Sequence, residues 1–240
     1  MSRLPILMYH NLCANETESI DLTVSASKFE EQLAYLKHKK FNSYFISEWD
    51  RMDLKHKRNV IITFDDVTEN QLEYAVPLLK KYGFKATFFI PFGYVGKTDL
   101  WNAENTVPQK IMTVEQLKLL DASVVELAHH SFFHKKYSTQ TEYEIQKDFD
   151  YSFAYIKQND LRVYPALAYP YGNYPKKGKE KEEFFKILER NNIKMAFRIG
   201  NRVNKVPLKN KFEVQRIDIK GQDNLFLFKL KLRLGKLKLF

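Results

Sequence analysis

Residues 59–92 read NVIITFDDVTENQLEYAVPLLKKYGFKATFFIPF. In residues 59–64 the run Val60-Ile61-Ile62 is apolar at every position, as in a strand of a parallel sheet covered on both faces. Over residues 68–82 the side chains of Leu72, Ala75, Leu79 and Tyr82 recur at helical spacing, and Gly83 supplies the stop. Residues 86–92 return to aromatic and β-branched types suited to a strand. Strand, helix and strand in this order make a βα unit, and two carboxylates, Asp65 and Asp66, stand where its first strand ends.

The same alternation extends both ways. Upstream, residues 5–10 read as a short buried strand, and Ser27-Lys28-Phe29-Glu30 as a capping box that opens a helix with Phe29, Leu33 and Leu36 on one face. Residues 41–47 read as a second strand. Downstream, Thr113-Val114-Glu115-Gln116 is another capping box, followed by strands at 124–127, 165–168, 195–198 and 212–219 and helices at 141–159 and 179–192. Such an α/β pattern predicts a barrel or a doubly wound sheet, both of which place active residues at the C-terminal ends of strands. At 240 residues, with no repeat or linker, one domain is expected over 1–223, followed by a basic apolar tail over 224–240.

The lone cysteine, Cys13, excludes an internal disulfide. The first residues lack the basic and apolar regions of a secretion signal, and no apolar run is long enough to span a bilayer, which predicts a cytoplasmic protein. A net charge of +10 admits an anionic partner, but no helix-turn-helix, finger or aromatic strand motif supports nucleic acid.

Chemistry concentrates in three segments, each just after a strand. Adjacent carboxylates repel unless a positive charge joins them. A divalent cation resolves this, with one Asp binding it and the other taking a proton from water; the plainer reading is that Asp66 or Thr68 caps the next helix. In residues 126–134, His130 and His134 are four apart, so two imidazoles can share one ion. Three of the six histidines lie in that segment, although such a pair also arises by chance on a surface. The third segment, Ala168-Tyr169-Pro170-Tyr171-Gly172, offers a backbone N–H to an oxyanion or is simply a turn.

Taken together in this order, the segments resemble the polysaccharide deacetylase (NodB-homology) family, carbohydrate esterase family four. The likeness runs through VIITFDD at 60–66, YAVPLLKKYGFKATFF at 74–89, the His130-Ser131 and His134 core, and the segment 168–172, and spans roughly residues 4–220. It implies a single-domain distorted (β/α) barrel of about seven strands that removes acetyl groups, chiefly N-acetyl from amino sugars, with a divalent metal. Zn is the default, with Co, Ni or Fe also suited to such ligands. By position, Asp65 would be the general base, Asp66, His130 and His134 the metal ligands, and the amide of Tyr171 part of an oxyanion hole. Tyr169 is placed as a substrate contact, and His129, where the family usually has a small residue, either contacts substrate or only fills space.

There are departures from the family pattern. Val67 stands where a Gly is usual, so the turn is expected to avoid positive φ. No Arg precedes Tyr169, and the late Leu-x-His element is replaced by Arg216-Ile217-Asp218. Leu7-Met8-Tyr9-His10-Asn11 resembles the N-terminal motif of the poly-N-acetylglucosamine deacetylase subgroup, which makes His10 the candidate acid or, alternatively, a structural histidine. These losses also motivate an alternative, a catalytically inactive glycan-binding barrel. The tail alternates apolar and basic residues from Phe228 to Leu234, and as strand or helix it exposes apolar surface unless docked. Two readings stand side by side, peripheral contact with an anionic membrane at the cytoplasmic face and an ordinary edge strand or packed tail; the substrate expected is a glycan or lipid-linked saccharide.

Overall fold

The computed structural model describes residues 2–102 and 107–235. Seven parallel strands close on themselves: β1 (Ile6–Tyr9), β2 (Asn59–Asp65), β3 (Ala86–Ile90), β4 (Val125–His129), β5 (Val163–Ala168), β6 (Met195–Ile199) and β7 (Val214–Asp218). Closure is carried by β1, which pairs with β2 on one side (Leu7 opposite Ile62) and with β7 on the other (Ile217 opposite Leu7). The barrel is distorted at β4–β5, where the register shifts between Ala128 and His129. Six helices surround it: α1 (Ala26–His38), α2 (Val76–Tyr82), α3 (Val114–Leu119), α4 (Glu142–Gln158), α5 (Gly178–Arg190) and α6 (Leu225–Leu234).

Strand alternation divides the core. Ile61, Phe89, Ala128, Ala168, Phe197 and Val214 point into the barrel, while Tyr9, Phe64 and Phe88 point outward against α1 and α2. Tyr9 stacks on Phe64 at 5.2 Å and Phe29 of α1 meets both rings edge-on, so one helix is locked to two strands. Each such ring contributes roughly 1.5–3 kcal/mol by burial.

Three local expectations change. In residues 41–47 only Asn42–Ser43 is a strand; Ile46–Arg51 coils into a 3₁₀ turn, because Ile46 and Met52 are needed to plug the barrel floor. Helix α1 starts two residues earlier than the Ser27 box implies, since the hydroxyl of Ser25 accepts from the Lys28 amide. The helix leading into α2 opens as a π-helical stretch, Gln71–Ala75, a distortion typical of functional sites. It places the Gln71 amide on the carbonyls of His10 (2.8 Å) and Asp65 (2.6 Å), tying together the ends of β1 and β2. As anticipated, Gly83 ends α2 in the left-handed region.

The tail is helical where it is described. α6 buries Phe228 and Leu232 in the cluster that holds α1, and Phe228 meets Tyr35 edge-on. Residues 225–234 therefore belong to the same core as the barrel, while the tail cations Lys236 and Lys238 lie outside the described residues. Among the described residues no helix is long and apolar enough to cross a membrane.

Candidate metal centre and active site

The ends of β1, β2, β4, β5 and β7 converge on one polar mouth. Asp65 ends β2 with its side chain inside the barrel, where Arg216 of β7 grips both carboxylate oxygens, Nη1 to Oδ1 at 2.5 Å and Nη2 to Oδ2 at 2.7 Å. Arg216 is fully buried, lies 5.2 Å from the Phe89 ring and touches Thr63 Oγ1 at 3.4 Å. Burial alone would raise the Asp65 pKa, but the guanidinium and the nearby His130 and His10 hold it well below the ordinary carboxylate range. His10, just past β1, brings Nε2 to 3.7 Å from Asp65 Oδ2.

Asp66 turns the other way. Its Oδ1 is buried without a hydrogen-bond partner, 3.5 Å from Nε2 of both His130 and His134, and those two nitrogens are 3.3 Å apart. His130 Nδ1 lies 2.8 Å from the Ala168 carbonyl, which can only accept, so the proton sits on Nδ1 and Nε2 presents a lone pair. Burial lowers the pKa of His130 to about 4 and that of His134 well below its ordinary value, so both rings are neutral. Burial, reinforced by Asp65 and Asp99, pushes Asp66 well up. One ligand atom from each of Asp66, His130 and His134 fits within 4.8 Å of the others. An orphaned carboxylate oxygen facing two neutral imidazoles is costly alone and becomes favourable around a divalent cation, so these residues fit a metal with open positions for water and substrate.

The loops that present these groups are strained. Asp66 (φ 75°), Val67 (φ 45°), Ser131 (φ 67°), His134 (φ 51°) and Tyr171 (φ 58°) all occupy the left-handed region. The expectation for Val67 is overturned: it keeps the positive φ that a Gly would adopt freely. Complete burial of its side chain and a hydrogen bond from the Met112 amide to its carbonyl hold a conformation that costs about 1–3 kcal/mol.

Support for the histidine loop comes from α4. Asp148, 1% exposed, accepts the Phe132 and Phe133 amides at 3.0 and 2.9 Å and the Tyr137 hydroxyl at 3.1 Å. Burial outweighs these donors and pushes the Asp148 carboxyl up to about 6. A carboxyl whose folded pKa exceeds its ordinary 3.8 costs stability as pH rises from there through about 6. Asp148→Asn keeps the acceptor without the charge. Urea denaturation should show it more stable than wild type by about 1–3 kcal/mol near pH 8 and no different near pH 4. A variant less stable at both pH values would show that the ionised carboxylate is what the loop needs.

The remaining sequence candidates separate. Tyr171, half-exposed, lies 5.0 Å ring to ring from His134, at the mouth. Tyr169 does not reach it: it is fully buried against Tyr174 and Phe184 with its hydroxyl on the Phe212 carbonyl, leaving no surface for substrate. His129 points out of the barrel and packs edge-on against Phe92 and Phe153, so it fills the space beneath α4 rather than meeting a glycan. Two residues of the mouth escaped the sequence reading. Arg216 was visible as a cation in the middle of a strand, Val214-Gln215-Arg216-Ile217-Asp218. Trp101, stacked on His134 at 3.8 Å and met edge-on by Tyr94, comes from a loop without periodicity.

Comparison with known proteins agrees with this geometry. The family model for polysaccharide deacetylase matches residues 53–182. A poly-β-1,6-N-acetyl-D-glucosamine N-deacetylase of Staphylococcus aureus is 31% identical over 165 residues, covering 66% of this chain and 57% of that protein. The chain thus matches a little over half the length of that relative. Among solved structures, the Streptococcus pyogenes deacetylase PplD in complex with acetate superposes with a TM-score of 0.77 at 22% identity, covering 96% of this chain and 98% of that one. A de-N-acetylase from Aggregatibacter actinomycetemcomitans gives 0.75 at 18%, covering 96% and 100%. At those identities the structures attest the fold. The family match, running through Asp65, Asp66, His130, His134 and the 168–172 turn, carries the assignment: this chain belongs to the polysaccharide deacetylase family.

Proposed function

We propose that the protein is a metal-dependent hydrolase that removes N-acetyl groups from an amino-sugar polymer. The observation that carries this is the division of labour between two adjacent carboxylates. Asp66 faces the Nε2 atoms of two imidazoles, while Asp65, one residue earlier, is locked to Arg216. Asp66, His130 and His134 would hold the cation, with Zn the first choice for a two-nitrogen, one-oxygen set. Bound there, it would acidify water and polarise the acetyl carbonyl.

The chain's own groups supply the rest. A carboxylate held below its ordinary range is a weak base, so Asp65 serves only toward water that is already acidified, which ties its role to the cation. Its bidentate grip by Arg216 fixes the direction in which a proton is accepted. The Tyr171 amide would meet the negative charge that develops on the acetyl oxygen, and His10 would return a proton to the departing nitrogen. The water oxygen would bond to the acetyl carbon, giving up its proton to Asp65, and the C–N bond would then break to give acetate and a free amine. Trp101 and Tyr171 provide apolar faces for a pyranose ring at the rim. The activity named for the Staphylococcus aureus relative supports an N-acetylglucosamine polymer as the substrate class.

The glycan-binding alternative gains no support, since all four polar residues persist and converge. Acetate release from N-acetylglucosamine oligomers, compared with O-acetylated glycans, tests the proposal. Release from the former at least about ten-fold faster is expected; release only from O-acetyl esters would overturn the N-acetyl assignment.

A further inference from the structure

Beside the starts of β1 and β2, a groove of about 670 Å³ runs between α6, the end of α1 and those strand starts. Its lining includes six cations, Arg3, Lys39, Lys57, Arg58, Lys229 and Arg233, and no acid. Some lysines elsewhere on the surface find carboxylates, as in Lys80–Asp121, Lys81–Glu30, Lys211–Glu189 and Lys220–Asp21. Among the described residues none of the six does so. Two guanidinium groups settle for backbone carbonyls instead, Arg3 on that of Arg233 and Arg58 on that of Lys39. Between the cations the surface is apolar: Phe41 and Leu230 line the groove, and Phe226 stands 66% exposed at its edge.

We propose that this groove and the outer face of α6 dock on an anionic lipid bilayer. Cations without carboxylate partners (Lys229 instead lies 4.9 Å over the Tyr35 ring) around exposed aromatic and aliphatic side chains match both layers of such a surface, headgroup charge outside and hydrocarbon beneath. A soluble polyanion would use the charges but leave Phe226 without a role. The sequence continues the same chemistry beyond α6, with Lys236, Leu237, Lys238, Leu239 and Phe240.

Flotation of the full chain with phosphatidylglycerol-containing vesicles and with phosphatidylcholine vesicles provides the test. The protein should float with the first, not the second, and the binding should weaken with salt. Lys57→Glu combined with Lys229→Glu should lower partitioning at least about 25-fold, at roughly five-fold per cation removed. Phe226→Ser should lower it about ten-fold through lost apolar burial. All three positions are exposed, so unchanged thermal unfolding will confirm intact variants. Failure of the wild type to float with anionic vesicles, or equal flotation of the charge-reversed variant, overturns the proposal. Heparin retention that needs both lysines, with vesicle binding indifferent to Phe226→Ser, also overturns it by assigning the groove to a soluble polyanion.

Discussion

Asp65→Asn is expected to reduce acetate release about 10³-fold, the scale on which a positioned base contributes, while leaving cation binding by Asp66, His130 and His134 in place. The substitution is nearly isosteric, so the loss isolates the charge. It also strands Arg216, fully buried, without its counter-ion. Breaking a buried pair from one side costs about 3–5 kcal/mol, so the variant should melt roughly 10 °C lower. Retention of activity within ten-fold would remove Asp65 from the chemistry.

Arg216→Met should be as damaging to stability and nearly so to turnover, for the complementary reason. Without the guanidinium, burial is left to push the Asp65 pKa upward, against only the weaker pull of His130 and His10, so the base is less available as a carboxylate. The pair favours folding above the ordinary carboxylate value of 3.8, and that contribution fades as pH falls below it. The substituted methionine side chain would fill much of the volume but leave two carboxyls side by side. The double variant, Asp65→Asn with Arg216→Met, should recover most of the stability lost by either single change, since both charges are gone, and recover no activity. Stability losses that simply add would show that the two side chains act independently, contrary to the bidentate contact.

The fold was legible where burial and periodicity agree. The apolar run at Val60-Ile61-Ile62, the helix stopped by Gly83 and the Thr113 capping box all formed as read. Reading failed where a tertiary demand overrode local pattern. Ile46 left its strand to plug the barrel floor, and Ser25 took the cap expected of Ser27. At Val67 the surrounding contacts imposed a backbone angle that a β-branched residue disfavours.

The site was legible as residue types at strand ends, which brought Asp65, Asp66, His130, His134, Tyr171 and His10 to one mouth. Tyr169 was misread as a substrate contact, and of the two readings of His129 the packing against Phe92 and Phe153 favours space filling, because a neighbour in sequence points to the opposite face of a strand or turn. Arg216 was passed over because residues 216–218 were inspected for a histidine, when what the barrel supplied there was the counter-charge that Asp65 requires.

The central claim is that Asp66, His130 and His134 make turnover depend on a cation. Chelator-stripped protein should release no acetate from N-acetylglucosamine oligomers, regain activity on addition of one equivalent of Zn, and in the His134→Ala form neither bind the ion stoichiometrically nor respond to it. Undiminished release from stripped protein, or full restoration by Zn in the His134→Ala variant, would contradict the account.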